Sequence, residues 1–221
     1  MSITLANLKT QARYRANMEN SLFVTDAELL TYINSSIAEL HDLLVASFDS
    51  DYSISSYEFS TVSGTDSYAL PSAFYKLKGV DAQLNGTYWS TISPFNFNER
   101  NLRTGVYSSN LLGYQFKYRI LGGNLVFSPV PDGAYNIKMW YIPTATKLVN
   151  DADTLDDINQ YSEYIIVDAA IKMLQKEESD VSILLAQKAD LRKRIENMAQ
   201  NRDADKSDAV SDIYLENSEE Y

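Results

Sequence analysis

The sequence predicts an α+β fold: a helical bundle of two N-terminal and two C-terminal helices, a small antiparallel β domain inserted between them, and an extended acidic C-terminal tail. Apolar residues recur at three- and four-residue spacing near both ends of the chain. In the middle the period falls towards two and turn residues multiply. Past residue 200 the apolar stripes stop and acids crowd together. The segments this defines are residues 1–50, 51–145, 146–200 and 201–221.

Residues 3–17 read as a short helix, with Leu5, Leu8 and Ala12 on one side, and Asn17 to Ser21 form a polar break. Thr25-Asp26-Ala27-Glu28 is a capping box, in which the Thr25 hydroxyl takes the Glu28 amide and the Glu28 carboxylate reaches back. A helix over residues 26–47 follows, with Leu29, Leu30, Ile33, Ile37, Leu40 and Leu44 as its stripe. Residues 52–59 have β composition, and residues 68–71 are extended because a residue before proline avoids the α region. Residues 74–84 read as a strand broken near Gly79, Asn85-Gly86 as a hairpin turn, and residues 88–92 as the return strand. Residues 95–101 are a short helix or a loop, and residues 104–110 have no period. Residues 114–120 alternate, Gly122-Gly123-Asn124 turns, residues 125–127 return, and Pro129 to Gly133 turn again. Tyr135, Ile137, Met139 and Tyr141 then share a face, so these three strands read as a meander. An acidic loop over residues 148–157 precedes helices over residues 158–176 and 180–200. Tyr161, Ile165, Ala169 and Lys172 step along the first. Val181, Leu184, Leu191, Ile195 and Met198 mark the second, interrupted at Gln187 and Lys188.

Composition narrows the function. The chain has 221 residues, 19 Lys and Arg against 30 Asp and Glu, and a formal charge of −11. Such a chain does not usually wrap DNA, because phosphate neutralisation needs a basic face. The absence of cysteine excludes disulfide scaffolds, zinc–thiolate sites, iron–sulfur clusters and a thiol nucleophile. One histidine leaves little for a multi-His metal site or a Ser-His-Asp triad. The apolar run of residues 164–167 stops at Asp168, far short of a membrane span. The first nine residues lack a basic region followed by an apolar one, so no signal peptide is predicted. The 16 tyrosines suit interfaces that are apolar at one end and wet at the other.

No motif carries catalysis. His41 reads as a helix-surface or interface histidine, because no nucleophile elbow or ligand spacing accompanies it. Asp151, Asp153, Asp156 and Asp157 fail as an EF-hand, since the sixth and twelfth positions are Asp156 and Ser162. They read instead as acids at the N-terminus of the following helix. Nothing singles out a carboxylate pair for glycoside hydrolysis. Arg192-Lys193-Arg194 is either a set of cations suited to a helix C-terminus or a docking patch for an acidic surface, such as a neighbour's tail. Residues 201–221 carry seven acids and two bases, close to half the net charge. That segment should not order by itself; Ile213-Tyr214-Leu215 and Tyr221 would anchor it on a partner. Trp89 and Trp140 read as β-core residues, or, in the alternative of a virion accessory protein, as stacking platforms of a saccharide-binding β domain.

The order of these motifs is informative. Thr25 to Asn34 opens the second helix, Leu70-Pro71-Ser72-Ala73-Phe74 lies in the β region, and Ile120-Leu121-Gly122-Gly123-Asn124-Leu125-Val126-Phe127-Ser128-Pro129-Val130-Pro131-Asp132-Gly133 follows. A strand ending Tyr141-Ile142-Pro143, the acidic loop and two helices close the chain. In this order the chain resembles the head-to-tail adaptor proteins of tailed bacteriophages, closest to those of short-tailed phages, over residues 3–200. The resemblance implies a virion structural protein without enzymatic activity, cofactor or metal. It implies a protein made in the host cytoplasm that forms a dodecameric ring at the head–tail junction, with the portal protein, tail or nozzle proteins and further copies of itself as partners. Genome DNA would pass through the ring without sequence-specific binding, and no membrane is involved. The portal dock would fall on residues 191–221, with Arg192, Lys193, Arg194, Ile213, Tyr214, Leu215 and Tyr221 as contacts.

Overall fold

The computed structural model describes residues 2–20, 22–47, 53–83, 86–100, 116–156 and 161–200. Among the described residues four α-helices run over Leu5–Arg15 (α1), Asp26–Ser47 (α2), Ser162–Lys176 (α3) and Ser182–Gln200 (α4). The same residues form nine strands: Ser2–Thr4 (β1), Ser55–Ser60 (β2), Ser67–Ala69 (β3), Phe74–Gln83 (β4), Ser90–Pro94 (β5), Lys117–Leu121 (β6), Asn124–Ser128 (β7), Asn136–Pro143 (β8) and Thr154–Asp156 (β9).

The fold is α+β, but the expected helical bundle with a small β insert is contradicted. The sheet is a major part of the molecule, with seven strands in the order β2-β8-β4-β5-β6-β7-β3. Its pairings are antiparallel except where β5 meets β6 in parallel, over Ser93 with Lys117 and Pro94 with Tyr118. The edge strands curl towards each other, since the rings of Phe59 on β2 and Tyr68 on β3 lie 5.0 Å apart. Inside the curl Val80, Ala82, Ile92, Leu125, Phe127, Ile137 and Met139 are buried together, and Phe116 stacks on Phe127 at 4.9 Å.

The predicted meander also fails. β6 and β7 do form a hairpin around Gly122, whose φ of +60° is the left-handed geometry glycine adopts without penalty. β8, however, pairs with β2 and β4 rather than with β7. Two prolines strip N–H donors from the connection after β7. Buried Thr61, just past β2, then takes its polar groups: the Thr61 hydroxyl donates to the Gly133 carbonyl at 2.8 Å and accepts from the Tyr135 amide at 2.9 Å. The register of β4 on β8 shifts twice before Gly79, where the sequence predicted a break.

Helix starts and stops follow local chemistry. At α2 the Glu28 carboxylate accepts from the Thr25 amide at 2.9 Å, while the Thr25 hydroxyl accepts from the Glu28 amide at 3.3 Å. α1 is followed by Asn17 at φ +56°, and the Met18 amide returns to the Arg13 carbonyl at 2.9 Å, closing a Schellman turn. Among the described residues the acidic loop serves α1. The Leu5 and Ala6 amides donate to the Asp153 and Asp151 carbonyls, and Lys9 pairs with Asp151 at 2.6 Å. β1 pairs with β9 beside this contact, a two-stranded ladder the sequence reading missed. Asp157 lies outside the described residues.

α3 is the centre of the helical layer. Tyr164 to Ile171 are all buried, the pattern of a helix enclosed on every side. α1, α2 and α4 surround it, with Leu5, Leu8, Leu29, Ile33, Ile165, Ala169 and Ile195 in one apolar cluster. α2 also reaches the sheet. His41 Nε2 donates to the Pro143 carbonyl at 2.9 Å, and Tyr75 of β4 sets its ring edge-on to His41 and donates to Asp42 at 2.7 Å.

One charge lies inside the helical layer. Asp168 on α3 is 3 % exposed. Its carboxylate accepts from Lys172 at 2.6 Å, Lys188 of α4 at 2.8 Å and the Ser36 hydroxyl of α2 at 2.6 Å. Lys188 also pairs with Glu39 of α2 at 2.6 Å, and the Tyr164 hydroxyl donates to Glu39 at 2.7 Å. Burial pushes the Asp168 carboxyl up, but Lys172, Lys188 and Ser36 outweigh it and hold it below its ordinary 3.8. Burial pushes Lys188 down, and Asp168 and Glu39 outweigh that, raising it above 10.5. Burial and the bond to Glu39 push the Tyr164 hydroxyl up to about 12.

Asp168→Asn should therefore cost about 3 kcal/mol in urea denaturation at neutral pH, the low end for a broken buried pair because both ammonium groups reach water. A carboxyl with a lowered folded pKa stabilises fully above its unfolded value and loses that contribution below it. The gap between wild type and Asp168→Asn should thus shrink as pH falls below 3.8. The raised Lys188 works the other way, its contribution fading only as pH rises above 10.5.

Candidate interaction surface

Arg192, Lys193 and Arg194 sit on the exposed side of α4, beyond the stripe that holds it to α3. That stripe is Leu184, Lys188, Leu191 and Ile195; Met198, assigned to it from spacing, is 55 % exposed. Arg192 Nε donates to Glu196 at 2.9 Å, one turn on. This pair is exposed and contributes little to stability. Arg194 lines an open groove of about 300 Å³ between α1, α3 and α4. Arg15 and Glu163, an ion pair, line its other side, with Asp190, Gln187, Leu191 and Val167 between. The groove has both signs of charge and no apolar floor large enough to hold a small molecule. The cluster is thus a polar surface presented by a helix anchored from behind.

The other predicted contacts, Ile213, Tyr214, Leu215 and Tyr221, lie outside the described residues, as does the acidic tail that carries them.

Among the described residues no group of three or more His, Cys, Asp or Glu is arranged to hold a metal. His41 lies between α2 and the sheet. Asp168, Lys188 and Tyr164 answer one another inside the helical layer, while Lys176 and Thr25 hold the Glu28 carboxyl down to about 2 and burial and the bond to Asp132 push the Tyr135 hydroxyl up to about 12. Perturbed pKa values can mark an active site, but each of these groups is shifted by burial and by partners that fasten the fold locally. Among the described residues no helix is long and apolar enough to cross a membrane.

With helices at both ends, a large sheet between them and a basic cluster near the end of α4, the chain matches the family model described as SU10 adaptor protein over residues 3–212. The chain belongs to the SU10 adaptor protein family. This is a family of phage head-to-tail adaptors, structural proteins of the virion at the head–tail junction that work through contacts with portal and tail proteins. The match spans the helical layer, the sheet and more than half of the acidic tail. No curated protein matches the chain closely enough to refine this.

The sequence reading missed the network that fixes this adaptor's α4. Its signals were two interruptions. Asp168 is a lone acid inside an apolar helix, and Lys188 breaks the inner stripe of the next one. The two interruptions are each other's partners.

If Arg192, Lys193 and Arg194 serve contact and not folding, Arg192→Gln, Lys193→Gln and Arg194→Gln together should move stability by no more than about 0.5 kcal/mol per site. Thermal denaturation reads this. A loss of several kcal/mol would assign the cluster to the fold.

Proposed function

We propose that the protein forms a ring, dodecameric as its resemblance implies, that joins the portal vertex to the tail and surrounds the path of the genome. The observation that carries this reading is the family match over residues 3–212. Three features of the chain support it. A charge of −11 per subunit gives a ring that repels phosphate, so DNA would slide and not stick. The tyrosine-rich surface suits extended protein contacts, with Tyr14, Tyr57, Tyr75 and Tyr88 among the exposed large side chains. The helical layer presents Arg192, Lys193 and Arg194 on a helix held in place by a buried ion network.

In this reading residues 191–221 form the portal dock. Arg192, Lys193 and Arg194 meet acidic groups, and Ile213, Tyr214, Leu215 and Tyr221 fill apolar pockets as the acidic segment orders on its partner. The partners are the portal protein, the tail or nozzle proteins and neighbouring copies of the chain. The protein works by geometry and adhesion, without catalysis.

Native mass spectrometry of this protein with the portal protein of the same genome tests the reading. The expected species carries about twelve copies per portal ring. Intact portal rings with no adaptor bound at micromolar concentration would overturn it. Deleting residues 201–221 should abolish portal binding and leave the thermal transition of the core in place. Unchanged affinity would move the dock elsewhere on the chain.

A further inference from the structure

The outward face of the sheet carries a cluster that neither the core nor the adaptor reading uses. Lys138 on β8 lies in register between Glu58 of β2 and Asp81 of β4. Its ammonium pairs with Glu58 at 2.7 Å and sits 4.9 Å from the Trp89 ring centre and 5.4 Å from that of Trp140. The Trp140 indole N–H donates to Asp81 at 2.7 Å, and the Thr91 hydroxyl donates to the other Asp81 oxygen at 2.8 Å. Two residues along β8, the Asn136 amide donates to Gln83 at 2.9 Å. Gly79 lies opposite Trp140, and a Cβ there would meet nothing within 4 Å, so the sheet surface at this position is open. Neither tryptophan is in the β core, contrary to the sequence expectation; Trp89 is 40 % exposed and Trp140 36 %.

The chemistry of this face selects its occupant. A protein laid over it would desolvate the Glu58–Lys138–Asp81 charges at the centre, where protein interfaces are depleted of charge. A nucleic acid would bring phosphates against two carboxylates. A neutral sugar chain avoids both costs. Its hydroxyls exchange hydrogen bonds with carboxylate, ammonium and amide groups that stay partly hydrated, and its C–H faces stack on indole. The polar groups follow β8, which suits a chain of sugar units better than one. The carboxylates outnumber the ammonium, which disfavours acidic sugars. We propose that the outward face of β2, β8, β4 and β5 binds a neutral oligosaccharide, with Trp89 and Trp140 as stacking platforms and Glu58, Asp81, Lys138 and Thr91 as hydroxyl-binding groups. This proposal does not rest on the ring or the portal dock.

The chain has two tryptophans, and both are in this cluster, so intrinsic tryptophan fluorescence reads this face alone. The full-length protein is titrated with neutral α- and β-linked glucose and N-acetylglucosamine oligomers, and with galacturonate oligomers as the acidic control. The expected result is a saturable emission change with a neutral oligomer, at a Kd of about 1 mM or tighter, and none with the acidic one. Trp89→Ala and, with both indoles kept, Glu58→Gln should each weaken binding about ten-fold without altering the far-UV circular dichroism. The proposal is overturned if no neutral oligomer changes the emission, if the acidic oligomer binds equally well, or if both variants bind like wild type. An emission change on adding portal or tail protein, with none for any sugar, would also overturn it by making the face a protein contact.

Discussion

At the meeting point of α2, α3 and α4 a carboxylate almost closed to water holds two ammonium groups and a hydroxyl. Removing the Asp168 charge from water is costly, and only donors in good geometry offset it. Those donors come from three helices: Ser36 from α2, Lys172 from its own turn, and Lys188 from α4. Glu39 balances the second ammonium. The constraint therefore acts on arrangement as well as stability, because no shift of α4 along α3 keeps Lys188 between Asp168 and Glu39. Leu184, Leu191 and Ile195 alone would allow such slippage, since apolar contact has no direction. The position of Arg192, Lys193 and Arg194, one turn and more beyond Lys188, follows from this anchor.

The sheet obeys a different rule. It has its own apolar interior and joins the helical layer through directional contacts, His41 to the Pro143 carbonyl and Tyr75 to Asp42 among them. The alternation along β8 sets its two faces: Ile137, Met139 and Tyr141 fill the curl, and Lys138 and Trp140 face outward. A one-residue slip would bury the lysine and expose the methionine. Cross-strand pairs from Lys138 to Glu58 and from Trp140 to Asp81 reinforce the same register from outside. Two kinds of contact thus divide the molecule, one fixing α4 on α3 and one holding a sheet face open to solvent.

Local chemistry was legible in the sequence and long-range pairing was not. The Thr25–Glu28 box, the stripe of α2, the Gly122 hairpin and the β4 irregularity near Gly79 all depend on residues a few positions apart. The adaptor family was legible too, through the order of these same local motifs. The meander was wrong because the partner of β8 is chosen by Thr61, far back in the chain, and by the core side of β4. The small β domain was wrong because the strands, each legible locally, do not show that all seven pair across long separations into one curled sheet. Trp89 and Trp140 were placed inside by hydrophobicity, whereas strand parity and the charges of Lys138 and Asp81 turn them outward. Asp151 and Asp153 were read towards the following helix because their carbonyl contacts to the first amides of α1 and the Asp151–Lys9 pair span a separation that local spacing does not show.

The central claim is that Lys188 fixes α4 on α3, and amide hydrogen exchange tests it directly. Lys188→Met keeps much of the side-chain volume and removes the bridge between Asp168 and Glu39, while Lys172 still satisfies Asp168. The account predicts that amides across Ser182–Gln200 exchange markedly faster in the variant, while those of α2, α3 and the sheet keep their protection. Equal protection of α4 in both proteins would contradict it and leave the apolar stripe as the sole anchor.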